Sequence, residues 1–186
     1  MNFLLLSGSF HSRSRSLVIV DTIRPFLSGH DVLVPQLDRL PFYCEDLNQN
    51  KPPVVQEFLA QVIAADAIIC CTPEYNHSIP AVLKNAIDWA SRPAFASPLK
   101  GKPVSFVTQA VSAVGGARAQ AHLKLVLDST LSEIHPCHEM MITGIDTLTD
   151  GKSPITERKV LERLERHILD FIRFAQRRAA VSQQAP

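Results

Sequence analysis

No sign of charge dominates this sequence: Lys and Arg number 19, Asp and Glu 18, and the net charge is +1. That balance removes the electrostatic reason to invoke nucleic acid or an acidic membrane surface. Long apolar runs are also missing. The run nearest the start, Phe3 to Leu6, is too short for a signal core or a membrane span, so a cytoplasmic protein is expected. Glycine is scarce, with 7 in the chain, and neither a GxGxxG pattern nor a Walker lysine occurs. A P-loop ATPase and a dinucleotide-binding Rossmann site are disfavoured accordingly. The 4 cysteines, Cys44, Cys70, Cys71 and Cys137, show no CxxC spacing. Cys70 and Cys71 are neighbours in an apolar strand and must point to opposite faces, which makes them buried thiols rather than joint metal ligands.

What is present is alternation. The continuous apolar run Phe3–Leu6 reads as a strand covered on both faces, and Asp31–Pro35, Asp66–Thr72, Pro103–Thr108 and Glu139–Ile142 read as further strands. Between and after them lie helical periods: Ser14 to Leu27, Val54 to Ala65, a helix N-capped by Ser78 and ending by Pro93, Gly115 to Glu133, and a last one opened by Ser153-Pro154. The second helix carries Val55, Phe58, Leu59, Val62 and Ile63 on one stripe. Residues 1–178 are expected to form one domain and 179–186 an unstructured tail. Repeated strand–helix units with right-handed crossovers give an α/β, flavodoxin-like fold: a five-stranded parallel sheet, order 2-1-3-4-5, with helices on both faces. Ligands of such sheets sit where the strand order reverses, at the carboxyl ends of strands 1 and 3. The loops to inspect are 8–16 and 73–78, with 108–116 as their neighbour.

Gly8 to Ser16 reads GSFHSRSRS, with four hydroxyls, two guanidiniums and an imidazole just before a helix N-terminus. Backbone N–H groups, the positive end of a helix dipole and hydroxyl donors suit a phosphate. Thr72 to Trp89 reads TPEYNHSIPAVLKNAIDW. This segment resembles the signature of the NADPH-dependent FMN reductase family, which includes flavin, quinone, chromate and azo-dye reductases. LPFYCEDL at 40–47 and GGARAQAHLK at 115–124 are similar to that family's loop after strand 2 and its fourth helix, so the likeness covers most of the chain.

The resemblance implies FMN as cofactor and NADPH as reductant. Ser9, His11, Ser14, Arg15 and Ser16 would surround the phosphate, and Pro73, Glu74, Tyr75 and Asn76 would line the ring through backbone groups. Gln109 and Gly115 would belong to the third wall. The implied reaction is hydride transfer to the flavin and onward to a quinone, free flavin or other small acceptor, ping-pong, with no catalytic side chain. The alternative is a flavin-binding electron carrier or redox-responsive protein without steady NADPH turnover, although the acidic surface and TxTGxT loop of flavodoxins are absent. The resemblance also implies a homodimer or homotetramer. The chain departs from the family pattern at His11, where Arg is common, and at Ala110 and Ser112, where Ser and Gly are; looser FMN binding is the expected consequence.

Other chemistry-bearing residues read more plainly. Lys84 and Asp88 are spaced for an intrahelical pair, and Trp89 suits either a core or an interface. Arg118 is a candidate for a pyridine-nucleotide phosphate, or a solvated helix residue. His77 directly follows the flavin loop. The HPCH segment, His135 to His138, has poor geometry for one tetrahedral ion on a strand, so no metal is expected.

Overall fold

The protein is described by a computed structural model covering residues 1–182. The described residues form six strands and six α-helices, which alternate as far as β5: β1 (Asn2–Ser7), α1 (Arg15–Ile23), β2 (Asp31–Leu33), α2 (Pro53–Ala64), β3 (Ala67–Pro73), α3 (Ala81–Ala90), β4 (Pro103–Gln109), α4 (Ala117–Asp128), β5 (Glu133–Ile134), β6 (Met140–Ile142), α5 (Ile145–Leu148) and α6 (Arg158–Ser182). The strands form one parallel sheet ordered β2-β1-β3-β4-β5, with β6 also pairing β4. This is the expected flavodoxin-like order, except that the fifth position is filled by two short pieces.

The reason for that interruption is local. β5 pairs Pro103–Val104 and β6 pairs Val107–Gln109, while His135 N–H still donates to Val104 O at 2.9 Å. Pro136 then has no N–H to offer the ladder, and the chain leaves β4 until Met140.

Every residue of β3 and β4 is buried, so side chains alternate between two apolar layers. Leu4, Leu6, Ile68, Cys70 and Phe106 meet Val55, Phe58 and Val62 of α2, together with α3 and α4. Phe3, Leu5, Ile69, Cys71 and Val107 meet α1 and the α6 stripe Leu164, Ile168, Phe171 and Ile172. Burying each such side chain contributes about 1.5–3 kcal/mol. Cys70 and Cys71 divide between the layers as alternation requires, and burial pushes the Cys70 thiol up to about 12 and Cys71 further in the same direction. On α2 the core stripe is Val55, Phe58 and Val62; Ile63 faces outward and is 64% exposed.

Several expected boundaries move. The helix expected to reach Leu27 is α-helical only to Ile23 and continues as a 3-10 turn, Arg24–Leu27, because Pro25 cannot supply a helical N–H. Pro80, rather than Ser78, is the N-cap of α3. The helix expected over Gly115 to Glu133 is α4, Ala117–Asp128, and the one expected to open at Ser153-Pro154 starts at Arg158. α6 runs through Ser182, so it overlaps the expected tail at 179–186; residues 183–186 lie outside the described residues.

Candidate active site

The carboxyl ends of β1, β3 and β4 converge around a cavity of about 400 Å³. Its lining joins the three expected loops: Ser9, His11, Ser14 and Arg15 from the first, Pro73, Glu74 and Tyr75 from the second, Gln109 from the third. Arg13, Ala110, Val111 and Ser112 line it as well. Ser16, Asn76 and Gly115, also expected here, are not among the lining residues.

The strand-end approach that makes this cavity depends on Gly8. Its N–H donates to Cys71 O at 2.8 Å, and a Cβ there would lie 2.7 Å from Thr72 Cβ. Beyond it the chain turns into α1, whose N-cap is Ser14. Its hydroxyl accepts from Leu17 N–H at 3.2 Å and donates to Ser9 O at 2.9 Å. Ser14 thus shapes the loop as a cap. The two guanidiniums differ. Arg13 is bound to the carbonyl and carboxylate of Asp150, at 2.9 and 3.2 Å, so its charge is already partnered. Arg15 has a long 3.4 Å contact to Thr149 O and remains the cation directed at the cavity. His11 accepts from Arg13 N–H through Nδ1 at 3.1 Å, folding its ring onto its own loop. Ser16 Oγ is fully buried at this helix start without a hydrogen-bond partner. An orphaned buried hydroxyl beside free first-turn N–H groups and Arg15 is a donor set that fits a phosphate.

The second loop is built around a two-residue reversal. Tyr75 and Ser78 exchange backbone hydrogen bonds of 2.9 Å in both directions, and Asn76 and His77 between them have φ of 48° and 64°. Both central residues are left-handed, the geometry of a type I′ turn. Asn tolerates it; His carries strain of about 1–3 kcal/mol. Ser78 is drawn away from its expected capping role by this turn, and its hydroxyl meets His122 Nδ1 at 2.8 Å.

Glu74 has two jobs. It lines the cavity, and its backbone N–H donates to Gln109 O at 3.3 Å. Its carboxylate accepts from Arg118 backbone N–H at 3.1 Å and Arg118 Nη1 at 3.0 Å. The N-cap of α4 is Gly116, which has no side chain to offer, so Glu74 caps that helix from another loop. Burial by itself would raise the Glu74 pKa, but the Arg118 hydrogen bonds outweigh it and hold the carboxyl below its ordinary value. Arg118 therefore serves Glu74, a partnership no local sequence pattern announces.

Behind the second loop, α3 holds the segment at 40–43. Asn85 accepts from Tyr43 N–H at 2.8 Å and donates to Leu40 O and Pro41 O, and Trp89 Nε1 donates to Pro41 O at 2.8 Å. Trp89 is completely buried within the chain, which answers the choice between core and interface for this subunit. Lys84 and Asp88 form the expected pair at 2.6 Å.

A scan against protein families matches residues 1–144 to the model for NADPH-dependent FMN reductase. The chain belongs to the NADPH-dependent FMN reductase family. An NAD(P)H-dependent FMN reductase of Pseudomonas aeruginosa is 35% identical over 167 residues, covering 88% of this chain and 89% of that protein. A quinone reductase of Escherichia coli is 35% identical over 147 residues, covering 77% and 78%. Among solved structures, the flavoenzyme NAD(P)H:(acceptor) oxidoreductase FerB of Paracoccus denitrificans superposes with a TM-score of 0.86 at 27% identity, over 95% of this chain and 98% of that one. As a member of this FMN reductase family, the chain is an NAD(P)H-dependent flavin oxidoreductase with FMN as its cofactor. No helix among the described residues is long and apolar enough to cross a membrane.

Proposed function

We propose that this chain holds FMN with its phosphate at the start of α1 and its ring between the 73–77 turn and the 109–112 wall. NADPH is the reductant, and a quinone or another small acceptor is reduced in alternation with it at the same face. The single observation carrying this reading is the cavity that joins the ends of β1, β3 and β4. Bound FMN supplies the redox chemistry, taking hydride from a reduced pyridine nucleotide and delivering electrons to the acceptor.

The chain's own contribution is binding and orientation. Arg15 and the first-turn N–H groups of α1 hold the phosphate, and the unpartnered Ser16 Oγ, buried just behind the lining, supports it from there. Gln109 and the backbone at 73–76 address the polar edge of the ring, while Pro73 and Ala110 give it an apolar shelf. Glu74 is committed as a carboxylate to Arg118, so it fixes the wall rather than donating a proton. Tyr75 and Val111, lining residues that are 53 and 60% exposed, form an apolar rim around the entrance. That rim suits a nicotinamide or quinone ring, and a homodimer or homotetramer in the cytoplasm is the proposed assembly and setting. Steady-state kinetics with NADPH and a quinone test the proposal. Parallel double-reciprocal lines are expected. Retained FMN that anaerobic NADPH bleaches only slowly would instead favour an electron carrier.

A further inference from the structure

The break between β5 and β6 brings together three side chains that share no residue with the flavin cavity. His135 follows β5, Cys137 comes two residues later on the detached segment, and His167 projects from α6. One donor atom of each lies within 4.8 Å of the other two. Both imidazoles are buried, and the Ser105 hydroxyl lies between them, 3.1 Å from His135 Nδ1 and 2.9 Å from His167 Nε2. His135 Nε2 faces the Asp170 carboxylate at 3.3 Å. Cys137 borders two openings, one of about 170 Å³ shared with Ser105 and one of about 680 Å³ shared with Asp170, so an ion from solvent reaches the cluster.

A polar core contact explains the two histidines and Ser105, but not an accessible thiol converging on them. Two imidazoles, a thiol and a nearby carboxylate are the donor set of a borderline-soft divalent cation, and an Nε2 or Nδ1 hydrogen bond to a second residue is the usual support for such a ligand. Zinc–nitrogen bonds of about 2.0–2.1 Å and zinc–sulfur bonds of about 2.3 Å place tetrahedral donors roughly 3.3–3.6 Å apart, so the three close by about 1 Å through side-chain rotation. Arg163, Arg166 and Arg173 flank the larger opening and work against a cation. A thiolate and the Asp170 carboxylate together offset the two charges of the metal.

We propose that His135, Cys137 and His167 form a zinc-binding site, with Asp170 in reach of the fourth position. On binding, the zinc–sulfur bond replaces the S–H bond of Cys137, and that proton passes to solvent. The ion then fastens the detached segment 135–139 to α6.

The test uses the full chain loaded with FMN, reduced, stripped with a chelator and titrated with zinc chloride, then desalted for metal analysis. Cobalt(II) is the optical probe, because a bound thiolate gives a sulfur-to-cobalt charge-transfer band. Stoichiometric zinc is expected in the parent chain and in Cys44→Ser, which removes the other exposed thiol. Cys137→Ser and His167→Gln are each expected to weaken zinc binding at least tenfold, and Cys137→Ser to abolish the charge-transfer band. Should His167→Gln fail to fold, the exposed Cys137 position decides alone. Absence of retained zinc in the parent chain, or equal retention with an unchanged band in Cys137→Ser, overturns the proposal.

Discussion

Replacing Glu74 by alanine removes a helix cap that originates in a different loop. The Glu74 carboxylate accepts from Arg118 N–H at 3.1 Å and from Nη1 at 3.0 Å, and Gly116 at the N-cap cannot replace it. Loss of a side-chain cap costs about 1 kcal/mol, within a range of about 0.5–2. Arg118 is 49% exposed, so the ion pair itself adds only about 0.2–1 kcal/mol. The sum, about 1–2 kcal/mol, lowers Tm by about 2–8 °C for a chain of this size. Because the Glu74 carboxylate also ties the 73–77 loop to the start of α4, FMN affinity should fall as well, by up to about tenfold if 1.4 kcal/mol of the loss reaches the bound state. Calorimetry with and without FMN measures both effects. The pH dependence is a separate check. The Glu74 carboxyl sits below its ordinary value of 4.5, so its stabilisation is complete above that value and disappears as pH falls through the lower folded one. The Tm difference between the parent chain and Glu74→Gln should therefore close in acid. A Glu74→Ala chain melting within about 1 °C of the parent, with unchanged FMN affinity, would refute the capping argument.

Ser16→Ala should leave the FMN-free Tm unchanged or slightly raised, since the buried Oγ has no partner, while weakening FMN binding at least tenfold in a fluorescence titration; charge-assisted hydrogen bonds contribute about 1.5–3 kcal/mol. Arg15→Ala should weaken FMN binding and reduce its salt dependence. Arg13→Ala, whose guanidinium is held by the exposed Asp150, should instead change stability only slightly and leave FMN affinity nearly unaltered in the same titration. His77→Gly should raise Tm by about 2–4 °C in thermal melts, because the left-handed φ of 64° costs the imidazole residue about 1 kcal/mol or more.

Strand positions were legible because β1, β3 and β4 are apolar on both faces and short, and Leu4/Leu6 against Phe3/Leu5 needed no long-range information. Helix positions were legible from their stripes, but their ends depended on backbone details: Pro25 shortens α1, and the 75–78 turn takes Ser78 away from α3. The cavity was legible from topology, since the strand order locates the switch point before any side chain is placed. Its fastenings were not. Arg13 meets Asp150 and Glu74 meets Arg118 across 137 and 44 residues, and neither pairing leaves a local pattern. The convergence of His135 and Cys137 with His167 was not legible either, because His167 lies on α6 and the segment leaves the sheet after Pro136.

The central claim is that FMN occupies the cavity between loops 8–16 and 73–77 and is reduced there by NADPH. It is tested most directly by a visible absorption spectrum of the desalted protein after FMN addition, followed by anaerobic NADPH. The account predicts stoichiometric retained flavin whose visible band bleaches rapidly with NADPH and returns when a quinone is added. A colourless protein after desalting, or retained flavin that NADPH leaves oxidised, would contradict it.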